Sequence, residues 1–567
     1  MDFDFIVVGS GFGGSVSAHR LTEKGYRVGV MEMGRRWTPQ NLPTTNWLLW
    51  RWIWRPGLGL RGFFNIDPFR HVMIMHGCAV GGGSITYANT SLVPGDSIWE
   101  SGSWVGLADW KAEMPRHYET AVRMLGVVEN RIMGPADRIL QQAAEEHGVG
   151  HTFYRTRVAV FEGPEGEPPG CTYPDPYFGG QGPERTSCIG CGGCMMGCRY
   201  GAKNTLDQNY LYLAEKAGAR VFAETKVVDV RPLGVSPGGK RGPGGDRSPN
   251  GNTGGNTGGS TDGTDGYEVF TVPSTAMPGG RRRFTCRGVI FAASALGTLD
   301  LLFRLKEKGS LPEISGQLGN RVRTNAESLI GVRVPGSRED LSKGVAIGSG
   351  FYLDQYTHIE ATRYPAGSDA MGLLCTVLTG GRPGRKRILL WLKLLAGSLL
   401  RHPLRTLRSL HPFGWARESL ILLCMQTLDG HIGMRLERPW FWPFRRVLRS
   451  HGQRIPTFIP QANEFARKLA LAIGGTPISM VTEILFDVPG TAHILGGCPM
   501  AASAEQGVVD GCNRLFGYRN LYVCDGSVIA ANLGVNPSLT ICALTERAMS
   551  FIPPAAAAPW RGVPSGS

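Results

Sequence analysis

The chain opens on an apolar run, DFIVV, that glycine closes. A short β-branched run of this kind predicts a strand buried on both faces. Apolar positions then recur at helical spacing from about Gly13 to Lys24, and RVGVME predicts a second strand ending at Glu32. Residues 37–75 are aromatic and proline-rich and read as a loop with short helices, and 160–187 reads as a Gly/Pro loop. The pattern over 107–147 is helical. GVIFAASALGTLDLLFRL (288–305) is again strand, turn and helix. VFAETKVVDVRPL and YEVFTVPS are strand-like and flank a run, 234–266, with almost nothing to bury. The simplest arrangement is a long disordered loop between two antiparallel strands. Near the far end, NLYVCDGSVI predicts a strand. NPSLTICALTERA then predicts a helix, with Asn536 as its cap and Pro537 at its first position. No internal repeat is visible.

At 567 residues the chain exceeds one small core, so two intertwined domains are expected. Glycine is in excess at 80 residues, partly in the 234–266 run and partly in short motifs. The formal net charge of +14 is unevenly placed. No acidic residue stands between Asp369 and Glu418, where Arg385, Lys386, Arg387, Lys393, Arg401, Arg405 and Arg408 interleave with ILLWLKLLAGSLL. That apolar run is too short and interrupted to span a bilayer, and its basic character suits a membrane surface instead. WLLWRWIWR and RPWFWPFRR have the same character. No nucleic-acid module is legible. Thirteen cysteines, four of them within eleven residues, do not make a secreted disulfide framework. With no signal core ahead of the first strand, the expected location is cytoplasmic, with contact at the inner face of the membrane.

Gly9-Ser10-Gly11-Phe12-Gly13-Gly14 is a G-x-G-x-x-G set between strand and helix. Gly9 permits the turn, Gly11 admits a pyrophosphate, and Gly14 lets helix and strand pack closely. Glu32, 18 residues past Gly14, stands where an acid binds a ribose hydroxyl. This points to a dinucleotide and leaves NAD and FAD open. Two stretches favour FAD. GCAVGGGSITYANTS (77–91), with Gly82, Gly83, Ser84 and Asn89, is a small-sided turn suited to lying against a ring system. VCDGSVIAANLGVNPSLTICA (523–543) sets the Asp525-Gly526 turn before the terminal helix. The start of that helix, at Asn536-Pro537, offers free N–H groups and partial positive charge to an anion.

Together the N-terminal fingerprint, GGGS with Asn89, AASALGT, TAHILGG and DGSVIAANLGVNPSLT resemble the glucose-methanol-choline (GMC) oxidoreductases. DPYFGG, AKNTLDQNYLYLAEKAGA and HIEATRY narrow the resemblance to the bacterial cholesterol oxidase-like branch. It implies an α/β (α+β) fold, with a Rossmann-type FAD domain and a sheet-based substrate domain. The expected division is 1–100, 188–330 and 485–555 for FAD, and 101–187 and 331–484 for substrate. It implies oxidation of a sterol 3β-hydroxyl to a ketone, with Δ5 to Δ4 isomerisation and reoxidation by O2. It also implies His493 beside the flavin, Asn536 in the active site, and Glu360 as the base, with Glu483 as a competing acid. Two departures stand out: Ser294 where glycine is usual, and His76 ahead of the flavin turn, a candidate for covalent attachment.

CIGCGGCMMGC sets Cys188, Cys191, Cys194 and Cys198 in C-x2-C-x2-C-x3-C, the spacing of [4Fe–4S] ferredoxins. Arg199 replaces the usual proline and no second run exists, so Cys198 or the distant Cys171 would complete a site. Structural or redox thiols are the other reading. Two alternatives to the oxidase therefore stay open. One is a GMC-type dehydrogenase that passes electrons to a cluster or quinone. The other is a flavin- and lipid-binding protein without alcohol chemistry.

Overall fold

The computed structural model describes residues 1–233, 266–275, 280–381, 384–439 and 446–555. The loop expected at 234–266 lies outside the described residues apart from Gly266. The strand pair expected to flank it is present: Thr225–Pro232 runs antiparallel to Tyr267–Pro273, and Arg282–Cys286 adds a third strand.

The opening DFIVV run gives the strand Phe5–Val8, wholly buried. It is the middle of a five-stranded parallel sheet, in the order 220–222, 28–31, 5–8, 288–291, 521–523. Its register sets Phe5 against both Val28 and Gly288. The helices Phe12–Glu23, Ser294–Lys308 and Ser538–Ser550 follow strands of this sheet. The first and last of these lock together: Arg20 donates to both oxygens of Glu546 at 2.7 and 2.9 Å, and Tyr210 donates to Glu546 Oε1 at 2.6 Å.

A second sheet of seven antiparallel strands has the order 375–377, 476–480, 328–333, 419–426, 357–362, 347–352, 154–155. Strand side chains alternate between faces. One face, with Val332, Ile359, Ala361, Leu420 and Leu422, packs on the helices Pro135–Glu146 and Pro460–Ala472. The other face, with Leu329, Thr362, Ile421 and Leu423, roofs a cavity above the parallel sheet.

Two local readings change. The helical stretch at 107–147 is two helices, Trp110–Met124 and Pro135–Glu146, parted by Gly126 and the short strand Val128–Glu129. The first packs on the closing helix, where Tyr118 Oη meets Thr540 Oγ1 at 3.0 Å and Arg547 donates to Glu113 at 2.7 Å. The stretch 37–75 holds more than loop: Phe64–Pro68 pairs with Met73–Gly77, and Gly490–Thr491 joins it as a parallel third strand. Its aromatic and methionine content hid the alternation, because Phe64 and Met75 face an apolar cluster while Asn65 and His76 face the other way.

The opening helix lies so close to the sheet that a Cβ on Gly13 would stand 1.6 Å from the Cys524 carbonyl oxygen. Gly13→Ala is therefore expected to lower stability by about 3 kcal/mol or more, read as a drop in the thermal midpoint.

Candidate active site

The glycine fingerprint folds as its spacing requires. Gly9 has φ +96°, and a Cβ there would stand 2.4 Å from the Ala292 carbonyl oxygen. A Cβ on Gly14 would stand 2.1 Å from the Gly9 carbonyl oxygen. Gly11 is different: a Cβ there would meet nothing nearer than 4.0 Å, so its front is open for a ligand. The second glycine turn interlocks with this one, since a Cβ on Gly82 would come within 2.4 Å of the Gly11 Cα. Gly9, Gly11, Phe12, Gly82 and Gly83 line one cavity of about 770 Å³. Gly14 lies behind it as a packing glycine.

Glu32 closes one end of this channel. Ser10 donates to it from backbone and hydroxyl at 2.9 and 2.7 Å, and Gly34 N–H donates at 2.7 Å. Burial pushes its carboxyl above the ordinary range, and these donors oppose that rise. Asp525, also buried, accepts from Ser527 N–H at 2.9 Å and from Thr298 Oγ1 at 2.5 Å. Asp525, Gly526, Asn536, Pro537 and Ser538 all line the cavity, so the closing helix presents its N-terminus to it. Asn89 is fully buried with φ 63°, and neither of its amide atoms has a partner among the described residues. Asn89 itself does not line the cavity, although its neighbours Ala88 and Thr90 do. An open glycine front and a helix N-terminus beside one channel are what an elongated dinucleotide needs. The residues therefore fit FAD. Ser84 stands off the wall: its hydroxyl donates to the Gly81 carbonyl at 2.6 Å and accepts from Leu206 N–H at 3.0 Å.

The helix start differs from the sequence reading. Pro537 is itself the cap residue of Ser538–Ser550, and no side chain caps that end. Asn536 turns its amide away to Glu360, donating Nδ2 to Oε2 at 3.2 Å. Glu360 is fully buried on the cavity side of its strand, directly across from Leu423, and stands behind Asn536. Burial raises its carboxyl to about 8, with the Asn536 amide opposing. Among the described residues Glu360 Oε1 and Asn536 Oδ1 are buried acceptors without a partner. Orphaned acceptors side by side call for an O–H donor.

His493 lines the same cavity. Its Nδ1 meets Glu327 Oε1, and Glu327 Oε2 accepts from Ala492 N–H at 3.0 Å. Nδ1–H therefore donates to the carboxylate, and Nε2 is left with its lone pair. Burial alone lowers the imidazole, but the Glu327 carboxylate outweighs it and holds His493 above the ordinary histidine value.

Glu327 escaped the sequence reading. It follows two residues in the left-handed region, Asn325 at φ 58° and Ala326 at φ 46°, a strained turn no residue-type pattern announces. Asn325 is equally unannounced. Its side chain donates to the Val535 carbonyl at 2.9 Å and accepts from Gly534 N–H at 2.8 Å. One short segment thus fixes both His493 and the loop that carries Asn536.

Glu483 does not join His493. It accepts from Ser328 Oγ at 3.2 Å and Leu329 N–H at 3.2 Å, on the strand side. His76 lines the cavity, and its Nε2–H donates to Asp67 Oδ2 at 2.8 Å. Ser294 lines the cavity at φ 65°, which explains why glycine suits that position. Cys188, Cys194 and Cys198 pack among Val158, Val160, Ala202 and Val345, and the thiols are free. Burial pushes Cys194 up to about 11. Among the described residues no group of three or more His, Cys, Asp or Glu is placed to hold a metal ion, so the ferredoxin-like spacing does not become a ligand set.

The model of the GMC oxidoreductase family matches residues 461–545, and that of an NAD(P)-binding Rossmann-like domain matches residues 7–39. A cholesterol oxidase of Acinetobacter baumannii is 59% identical over 97% of this chain and 94% of its own length. A cholesterol oxidase of Mycobacterium tuberculosis is 43% identical over 97% of this chain and 91% of its own. Among solved structures, pyridoxine 4-oxidase from Mesorbium loti superposes with a TM-score of 0.58 at 14% identity. It covers 97% of this chain and 99% of its own, a likeness of fold. Parallel sheet, glycine channel, roofing sheet and these relatives agree: the chain belongs to the GMC oxidoreductase family, in the branch that holds these two cholesterol oxidases.

Proposed function

We propose that this protein oxidises the 3β-hydroxyl of a sterol to a ketone, with FAD as prosthetic group and O2 as final acceptor. The observation that carries the reading is that His493 and Asn536 both line an apolar cavity continuous with the glycine channel, with Glu360 hydrogen-bonded directly behind Asn536. Phe64, Met75, Met371, Trp415, Ile421 and Met480 line the far part of that cavity and suit a rigid hydrocarbon. The two cholesterol oxidases of like length support the same substrate class.

Gly9, Gly11, Glu32, Gly82, Asn89 and Asp525 would hold the cofactor. FAD, when bound, supplies the acceptor for the electron pair that leaves the carbinol carbon as hydride. His493 Nε2 takes the hydroxyl proton, and Glu327 steadies the imidazolium so formed. Asn536 Oδ1 gives the hydroxyl an acceptor before that transfer and so orients it. The helix behind Asn536 favours negative charge at its N-terminus. Glu360 serves the second step. As a carboxylate it takes a proton from C4 of the β,γ-unsaturated ketone and returns it at C6, which conjugates the double bond. We keep the division into a dinucleotide domain (1–100, 188–330, 485–555) and a substrate domain (101–187, 331–484) for this use of the two sheets, with the 330/331 boundary moved ahead of the strand Ser328–Arg333, which belongs to the roofing sheet. The substrate is water-insoluble and is drawn from a lipid surface.

Anaerobic mixing with 3β-hydroxysterols should bleach the flavin, and air should restore it with release of peroxide. Bleaching by none of a panel of sterols and simple alcohols would sink the reading, and bleaching without peroxide would reassign the acceptor. Glu327→Gln removes the charge that raises His493. The acid limb of the rate profile should then move to lower pH, with the plateau falling by about tenfold to a hundredfold. Isomerisation needs the Glu360 carboxylate, so its rate should climb as pH rises through about 8. Glu360→Gln should abolish isomerisation and let the unconjugated ketone accumulate, which product chromatography resolves.

A further inference from the structure

The helix Arg385–Arg401 is turned inside out. A surface helix ordinarily buries its leucines and exposes its charges. Here the inward stripe is polar. Arg387 is buried and donates to Thr457 Oγ1 at 2.8 Å and to the Glu483 carbonyl at 3.1 Å. Trp391 Nε1 donates to Thr376 Oγ1 at 2.9 Å, and Ser398 Oγ meets Thr406 Oγ1 of the next helix, Pro403–Leu410, at 2.6 Å. Positions 387, 391 and 398 share one face at helical spacing. The leucines point outward: Leu389 is 64% exposed, Leu400 85%, Leu404 72% and Leu407 58%.

Cations stud this apolar face. Lys386, Lys393, Arg401 and Arg408 are exposed, and among the described residues none of them forms an ion pair. The chain itself offers no carboxylate from residue 370 to 417. The hairpin is linked to the cavity wall through one strand. Thr376, which holds Trp391, lies in the strand Cys375–Val377, whose first residue lines the cavity with Leu374. Leu373, next in line, is 61% exposed.

We propose that the hairpin 385–410 docks on an anionic lipid surface and holds there the strand that joins it to the cavity wall. Exposed leucines need an apolar medium, and cations among them need counter-charge within a Debye length. An anionic membrane surface offers both. A second copy meeting the same face would set like charges together, because a two-fold interface is self-complementary. No described helix is long and apolar enough to cross a membrane, so the contact is interfacial. Only the identity of the molecule that passes from lipid to cavity rests on the sterol oxidase reading. The docking itself does not.

The test is co-sedimentation of the full flavin-loaded protein with vesicles, one set of phosphatidylcholine alone and one with added phosphatidylglycerol. Binding should require the anionic lipid and weaken as salt is raised. Lys386→Glu with Lys393→Glu should weaken it by about tenfold or more, and Leu389→Glu with Leu400→Glu should abolish it. All four positions are exposed. Flavin absorbance and thermal midpoint should therefore stay unchanged in both variants, which separates lost docking from lost folding. Absence of binding to either vesicle, or binding indifferent to both variants, overturns the proposal. A dimer in solution that Leu389→Glu with Leu400→Glu splits would give the face to a second copy instead. Vesicle binding without flavin bleaching by any sterol would remove the reaction and leave the docking standing.

Discussion

Backbone touching backbone at glycine is the constraint on which this molecule is built. Gly82 lies on Gly11, Gly14 on Gly9, and Gly13 on the Cys524 carbonyl, each at a distance that no β-carbon permits. These approaches bring three remote parts of the chain to one place: the opening turn, the 77–91 turn and the Leu521–Val523 strand. A channel with a bare peptide front results. Peptide dipoles and a helix N-terminus then supply its polarity without any side chain that would fill it.

The roofing sheet adds what the channel lacks. Period-two alternation gives its strands two different jobs at once. One face seals a core against helices, and the other turns Leu329, Ile421 and Leu423 to the cavity. Glu360 shares that second face, which is why a carboxyl comes to be buried beside apolar side chains. Burial is the larger influence on it, and its single amide donor only moderates the effect. His493 answers to the opposite balance. A carboxylate touches its ring, and that charge outweighs burial. Two titratable groups across one wall are thus driven by different causes, and this separates their roles in a two-step reaction.

Asn325, Ala326 and Glu327 hold that wall in register. Consecutive left-handed residues are costly, and here the cost secures geometry: one side chain of the segment clamps the Gly534–Val535 backbone and another clamps His493. The outer hairpin follows its own rule, since its arrangement is sensible only where the medium outside is apolar. Catalytic wall and outer hairpin are joined through the strand Cys375–Val377, whose first residue lines the cavity.

Much was determined by the sequence alone, wherever the cause is local. The opening strand, helix and second strand follow from periodicity and glycine spacing, and Glu32 lies at its strand's end as the spacing requires. The strand pair at 225–273 and the unit at 288–308 were legible for the same reason. Only tertiary structure decided the rest. Asn536 looks like a helix cap in one dimension, yet it spends its amide on a residue 176 positions away. Glu327 carries no signature, because its task is set by a histidine 166 positions off. Four closely spaced cysteines leave cluster ligands and structural thiols both open in one dimension, and packing seats Cys188, Cys194 and Cys198 among valines and alanine. Local propensity is written in neighbours along the chain, whereas the partner of a buried polar group is chosen by which distant segments the core brings together.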